Sequence, residues 1–179
     1  MSDTVQLRRD PEWFPFLTGL SWTYHHTSTA FEGVETVRIE LLEILHGPDG
    51  ETARAALWRS RMGATPSRID YSIHKTGKEL RAENGVLGAS RREFSLPASV
   101  GTRWSEPPDD FKIASIDETI QVPAGRFTGC LRVNAFLAGG DAGSSIRYYA
   151  PNLGYVYEEY SGETRGARVS LVSFSREKK

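Results

Sequence analysis

The chain has 179 residues, of which 22 are basic, 23 are acidic and 39% are hydrophobic. This length predicts one domain with a real core, and four Trp, seven Tyr and eight Phe favour a folded globule over a disordered chain. The formal net charge of −1 supplies no general field for nucleic acid or for an anionic membrane, so neither is predicted as a partner.

The N-terminal sequence contains no recognisable targeting signal. MSDTVQLRRDPEW carries charges but no apolar segment before Trp13, and no lipoprotein-type cysteine lies near the start. No apolar run approaches the roughly 20 residues of a membrane-spanning helix. These features predict a cytoplasmic protein without a membrane span. The single cysteine, Cys130, excludes an intramolecular disulfide, and its place in an alternating run favours a structural role.

In the first half of the chain, a polar lead-in over residues 1–12 is followed by four segments that favour strands. The alternation of side chains predicts strands at Leu20–Thr29, Val34–Leu45, Glu51–Arg61 and Pro66–Lys75. The second and third segments also fit a helix, but the Val and Ile at the start of the second and the Gly47–Gly50 turn after it favour strands. Glu32-Gly33 predicts the first turn.

The middle of the chain contains the strongest turn signals. Asn84-Gly85 predicts a two-residue hairpin between Glu79–Glu83 and Val86–Phe94. Gly101–Trp104 and Glu106–Asp110 predict a loop that crosses the edge of the sheet, because two prolines fit poorly inside a ladder.

The stretch from Phe111 to Tyr160 contains two long strand-like runs, each interrupted by a proline-glycine corner. The corners are Pro123–Gly125 and Pro151–Gly154, and the glycine-rich segment Ala138–Gly143 between the runs predicts a hairpin loop. Gly166–Ser175 predicts a closing strand, and residues 176–179 predict a solvated tail. The chain as a whole therefore predicts an all-β fold: one domain over 1–179, with a single antiparallel, strongly curved sheet of about ten strands and little helix, forming a barrel or half-barrel.

Four short motifs carry a resemblance to a family of uncharacterised bacterial β-sheet proteins. These are VPAGRFTGCLRV, YYAPNLGYVYEEY, FPFLTGLSWTY and the segment from Leu96-Pro97 through Gly101-Thr102 to Trp104. Many relatives in that family carry a secretion or lipoprotein signal. The resemblance implies a fold and no particular reaction. The string FLTGLSW is also similar to the opening of lipocalin-like and nitrobindin-like barrels, although Thr23 and Tyr24 replace that motif's second glycine.

No catalytic constellation is recognisable, so the sequence does not predict an enzyme, a cofactor or a metal site. The adjacent His25 and His26 point to opposite faces of a strand and cannot chelate one metal together without distortion of the strand. No G-x-S-x-G is present, and Gly139–Gly143 lacks the Lys-Ser/Thr and the helix of a phosphate-binding loop. No histidine follows His74 to serve as a late haem ligand.

Aromatic and arginine side chains are the candidates for a ligand or partner site. Arg132 and Arg147 are predicted on the mixed face of the sheet, where Asp117-Glu118 would form a charged cluster with them. The full candidate set is Trp22, Tyr24, Trp58, Tyr71, Arg132, Arg147, Tyr149, Tyr155 and Tyr157.

Three functions are compatible with this set. The first is a non-enzymatic barrel that binds an apolar small molecule or lipid in its concavity. The second is a protein-interaction or scaffold module, or a homo-oligomer. The third, ranked last, is a lipocalin-like or nitrobindin-like barrel that binds haem or another small molecule.

Overall fold

The computed structural model describes residues 11–177, which form twelve strands of a single antiparallel sheet. The lead-in over residues 1–10 and the last two residues of the tail lie outside the described residues. The strands are β1 Leu20–Ser28, β2 Phe31–Gly47, β3 Gly50–Ser60, β4 Ser67–Thr76, β5 Glu79–Ala82, β6 Arg91–Ser95, β7 Arg103–Glu106, β8 Asp109–Val122, β9 Gly125–Leu137, β10 Gly143–Ala150, β11 Gly154–Gly162 and β12 Gly166–Arg176.

The sheet follows the chain as a meander and then joins its first and last strands. Its order is β6-β5-β4-β3-β2-β1-β12-β11-β10-β9-β8-β7, so the two edge strands, β6 and β7, lie in the middle of the chain. This arrangement confirms the predicted all-β, strongly curved antiparallel sheet, which is a nearly closed barrel of slightly more strands than expected. Among residues 11–177, no helix is long and apolar enough to cross a membrane.

Several predicted turns are wrong, and in each case other contacts override the local signal. The first turn lies at Thr29-Ala30 rather than Glu32-Gly33, since the Ser28 hydroxyl accepts the N–H of Ala30 and Phe31 already pairs with Ser28. The double proline does not cross the sheet edge but forms the tight turn between β7 and β8, where no ladder N–H is required.

The predicted two-residue hairpin at Asn84-Gly85 is also wrong. An eight-residue loop, residues 83–90, joins β5 to β6 instead. The Arg59 guanidinium donates to the carbonyls of Gly85 and Val86 at 2.8 and 2.6 Å, and Val86 is buried. Tertiary anchoring therefore determines the path of this loop.

A bulge in β2 changes which side chains enter the core. Regular strand alternation would place Leu41 and Leu45 on one face, but the pairing register with β3 shifts between Leu41 and Glu43. Beyond this shift Ile44 packs against the core and Leu45 is 46% exposed.

One end of the barrel, here the plugged end, is filled by side chains from the N-terminal segment and the Pro151–Gly154 turn. Trp22 donates its indole N–H to the Leu153 carbonyl at 2.8 Å, and Phe14 packs against Trp22 with ring centroids 5.5 Å apart. Gly154 has a φ of +110°, and a Cβ there would lie 3.5 Å from the Trp22 ring. The opposite end is here called the open end.

The gap between the two edge strands, here the seam, is bridged by side chains. The Glu106 carboxylate on β7 accepts the backbone N–H of Arg92 on β6 at 3.1 and 3.3 Å, and it also pairs with Arg81. From inside the barrel, Arg147 Nη2 donates to the carbonyls of Arg92 and Glu93, both at 2.8 Å. Side chains thus satisfy backbone groups that an unpaired edge would expose.

We expect Glu106→Ala to lower the free energy of unfolding by about 1–3 kcal/mol, because it leaves the Arg92 N–H without its acceptor and removes one of the two carboxylates that pair with Arg81. Urea unfolding measures the loss, and faster amide hydrogen exchange at Arg92 would locate it. Glu159→Ala is the matched control, since its pair with Arg168 is exposed and is expected to contribute less than about 1 kcal/mol. Equal, small losses in the two variants would contradict a bridging role for Glu106.

Candidate functional site

A cavity with a volume of about 600 Å³ lies at the open end. Its base is polar and is formed by Arg91, Ser145, Arg147 and Glu158. Its walls are largely apolar, with contributions from Leu87, Pro107, Phe111, Ala135 and Leu137, and its rim includes His26, Asp109, Tyr160 and Arg165. The cavity therefore combines an apolar wall with a charged base.

The base residues point inward because of their register in the sheet. Ser145, Arg147 and Tyr149 alternate along β10 and are all buried. Arg147 lies opposite Val133, a core residue of β9, and residues opposite each other in an antiparallel ladder share a face. The prediction that Arg147 lies on the mixed face is therefore wrong, while Arg132 does lie there.

A buried ion cluster forms one side of the base. The Arg91 guanidinium donates to both Glu158 oxygens, at 2.9 and 2.8 Å, and its Nε donates to Glu93 at 2.9 Å. Ser145 and Tyr155 each donate a hydroxyl to Glu158 at 2.8 Å. Four donors thus occupy the two oxygens of Glu158, which fills the acceptor capacity of a carboxylate.

The charges of this cluster shift several pKa values. Burial alone would raise the pKa of Glu158, but attraction to Arg91 and Arg147 and hydrogen bonds from Arg91 and Tyr155 outweigh it and lower the pKa from 4.5 to about 2. Burial raises the pKa of Tyr149, and the nearby Glu93 raises it further. The Glu158 carboxylate therefore stays ionised and the Tyr149 phenol stays neutral near pH 7.

Arg147 differs from Arg91 in its partners. Its side chain is buried, with the residue 2% exposed, yet within residues 11–177 it forms no ion pair. Its hydrogen bonds to described residues leave only from Nη2, and its buried Nε has no partner. The guanidinium carbon lies 5.2 Å from the centroid of the Phe111 ring, in the wall of the cavity. Donor capacity in the base therefore remains unused.

A second hydrogen-bonded chain connects the rim to the loop over residues 83–90. His26 Nδ1 lies 3.0 Å from Glu35 Oε1, and Arg59, which holds the loop, pairs with the same oxygen at 2.6 Å. A carboxylate partner requires Nδ1 to carry the proton, and Nε2 of His26 is buried without a partner. Among residues 11–177, no three His, Cys, Asp or Glu side chains are arranged to hold a metal ion.

The structure separates the predicted site residues into three groups. Arg147 lines the cavity, and Tyr149 and Tyr155 bind the carboxylates of its base. Trp22, Tyr24 and Tyr71 lie deeper, around an internal void of about 30 Å³.

The third group lies on the outer face, away from the cavity. Trp58 packs between two guanidinium groups, those of Arg38 and Arg68, at 5.0 and 5.1 Å from its ring. Arg132 pairs with Glu118 at 3.2 Å, and Tyr157 donates its hydroxyl to Glu159. These three side chains do not meet the cavity residues.

Sequence reasoning missed most of the base and the rim. Glu158 follows the buried Val156 by two positions, and Ser145 precedes Arg147 by two, so each is in phase with inward residues. The sequence signal that identifies such residues is a charged or polar side chain at a strand position that alternates with buried apolar positions. His26 alternates with Trp22 and Tyr24 along β1, so the same signal applies to it, whereas Arg91 begins β6 after a loop whose path the sequence pattern does not specify.

No protein-family model matches this sequence, and no curated protein sequence matches it. Solved structures do match the fold. One is a putative lipoprotein from Parabacteroides distasonis, at 14% identity and a TM-score of 0.65, over 92% of this chain and 99% of that one. Another is a putative exported protein with a YmcC-like fold from Bacteroides fragilis, at 14% identity and a TM-score of 0.67, over 93% and 100% of the two chains.

These neighbours bear on two expectations. The resemblance to uncharacterised bacterial β-sheet proteins is confirmed at the level of the fold. The expected cytoplasmic location is contradicted, since the neighbours are described as a lipoprotein and an exported protein.

We expect Glu158→Gln to lower the free energy of unfolding at pH 7 by about 3–5 kcal/mol, because Arg91 loses one of its two buried carboxylates. The folded pKa of about 2 lies below the usual 4.5, so the stability that Glu158 contributes is present above pH 4.5 and is lost as the pH falls towards 2. The variant should therefore lose less stability than the wild type across this window.

Urea titrations at a series of pH values measure both effects. Glu118→Gln is the control, because its pair with Arg132 lies on the outer face and should contribute less than about 1 kcal/mol. Parallel pH profiles for the wild type and Glu158→Gln would contradict the role of this carboxylate.

Proposed function

We propose that the protein binds a small amphipathic molecule in the cavity at the open end of its barrel. The observation that carries this proposal is a cavity of about 600 Å³ with an apolar wall and a polar, buried base. Ligand sites in proteins occupy roughly 300–1,000 Å³ and combine apolar lining with a few placed polar groups. The cavity has this size and this chemistry.

The remaining space in the barrel favours the open end as the site. The internal void among Trp22, Tyr24 and Tyr71 has a volume of about 30 Å³, which leaves no room for an organic ligand. A hollow of about 260 Å³ at the plugged end is lined by the N-terminal segment and by Phe94 and Ala98. A ligand at the open end would place its apolar part against Leu87 and Phe111 and its polar part on the base.

The names of the two structural neighbours support a role outside the cytoplasm, and neither name specifies a ligand. A non-catalytic binding protein there would hold its ligand by fit and hydrogen bonding. The second candidate is a protein-interaction role, which would use the outer face of β9 close to the rim, where Phe136 is 63% exposed.

Native mass spectrometry of the protein purified from its own host tests the proposal, and Ala135→Trp supplies the decisive comparison. Ala135 is 7% exposed and lines the cavity, so an indole there would occupy the ligand volume. We expect the wild type to retain one small molecule and Ala135→Trp to lose it.

Ala98→Trp is the matched control, because it makes the same change in the hollow at the plugged end and should keep the ligand. Circular dichroism checks that both variants fold. A wild type that carries no ligand and shows no thermal shift with a panel of amphipathic molecules would count against binding and would favour the interaction role.

A further inference from the structure

In the cavity base the hydrogen-bond acceptors of Glu158 are occupied, while some donors are free. This difference indicates which kind of ligand group the base can bind. Both oxygens of Glu158 are occupied by four donors, from Arg91, Ser145 and Tyr155. Glu106 at the rim accepts from Arg92 and Arg81. The carboxylates that line this part of the cavity are thus already supplied with donors.

Arg147 has N–H donors that form no hydrogen bond with the described residues. A guanidinium carries five N–H groups and no acceptor, and Arg147 uses only those of Nη2, towards two carbonyls of β6. Its Nε is buried without a partner, although the residue is 2% exposed and borders the cavity. A buried unpartnered donor costs free energy, and an acceptor on a ligand that pairs with this guanidinium would offset part of that cost.

We propose that the ligand carries a carboxylate that binds Arg147 at the base of the cavity. This inference rests on the proposed small-molecule site. Both hydrogens of Nη2 are already donated to carbonyls, so a ligand carboxylate would accept single hydrogen bonds from the remaining N–H groups of the guanidinium, and a charged donor forms its strongest hydrogen bonds with a charged acceptor. Phe111 lies against the same guanidinium and continues into the wall, where Leu87 and Leu137 offer an apolar surface.

The shape of this arrangement specifies an amphipathic monocarboxylate with its acid group inward. Glu158 lies in the base and Glu93 pairs with Arg91 next to it, so a second negative charge on the ligand would meet repulsion. The apolar body would extend from the base along the wall towards the rim. Arg147 would then connect the ligand to the seam, because its Nη2 continues to hold the carbonyls of Arg92 and Glu93.

A matched pair of probes tests the charge requirement on the full chain. Octanoate and octanamide have nearly the same size and planar head group and differ in charge. Isothermal titration calorimetry should give a dissociation constant roughly ten- to a hundredfold lower for octanoate, the range expected for a charge-assisted hydrogen bond. Equal affinities for the two compounds would overturn the carboxylate inference and leave the small-molecule site intact.

Variants at Arg147 locate the effect. Arg147→Met should abolish the preference for octanoate while octanamide still binds, and Arg147→Lys should keep part of it because the charge remains. Arg132→Met is the matched control, since Arg132 is a half-buried arginine on the outer face of the adjacent β9 and its loss should leave the preference unchanged.

Arg147→Met also removes two hydrogen bonds at the seam, so circular dichroism and thermal unfolding accompany the titrations. If this variant does not fold, the wild-type preference together with its reduction in Arg147→Lys decides the question. A preference that survives in a folded Arg147→Met would overturn the inference. Failure of the wild type to bind either compound would instead count against the proposed site itself, and the inference would fall with it.

Discussion

The buried guanidinium of Arg147 connects the two features on which this barrel depends. The sheet begins and ends in the middle of the chain, at β6 and β7, so its edges cannot be closed by the pairing of the terminal strands β1 and β12. Arg147 reaches from β10 across the interior to the carbonyls of Arg92 and Glu93, while Glu106 holds the Arg92 N–H from the side of β7. The same arginine lines the cavity, which couples the integrity of the seam to the composition of the site.

The interior charges also explain how a small barrel keeps an open end. An ion cluster inside a protein requires good geometry and full hydrogen bonding, since desolvation of each ion costs several kcal/mol. Glu158 meets this requirement with four donors, and Arg91 meets it with two carboxylates. This cluster is polar, so the apolar packing of Trp22, Tyr24 and Tyr155 ends on the side of the cluster that faces the plugged end. Towards the open end, the cluster borders the cavity. At the plugged end, Trp22 and Phe14 pack against each other.

The strands were predictable because their side-chain period is local, and the site was not because its geometry is long-range. The pattern from Phe127 to Leu137 and the corner at Pro151–Gly154 indicate β9, β10 and β11 within a few residues. The two-residue hairpin predicted from Asn84-Gly85 is wrong because Arg59, about 26 residues away, holds the loop in another path. Arg147 is one of the predicted site residues but lies on the face opposite to the predicted one, since its orientation depends on its register with Val133. Glu158 and Arg91 are 67 residues apart and meet only when the sheet curls.

The distribution of aromatic side chains follows from the same curvature. Tyr149 and Tyr155 place their hydroxyls on Glu93 and Glu158, so their rings complete the core while their polar tips support the charged base. Tyr157, on the opposite face of β11, pairs instead with Tyr148 and Glu159 outside the barrel. One tyrosine-rich segment therefore serves two surfaces, and only its inward half supports the cavity. A ligand held by Arg147 would rest on residues that these tyrosines already fix in position, so the base is organised before any ligand arrives.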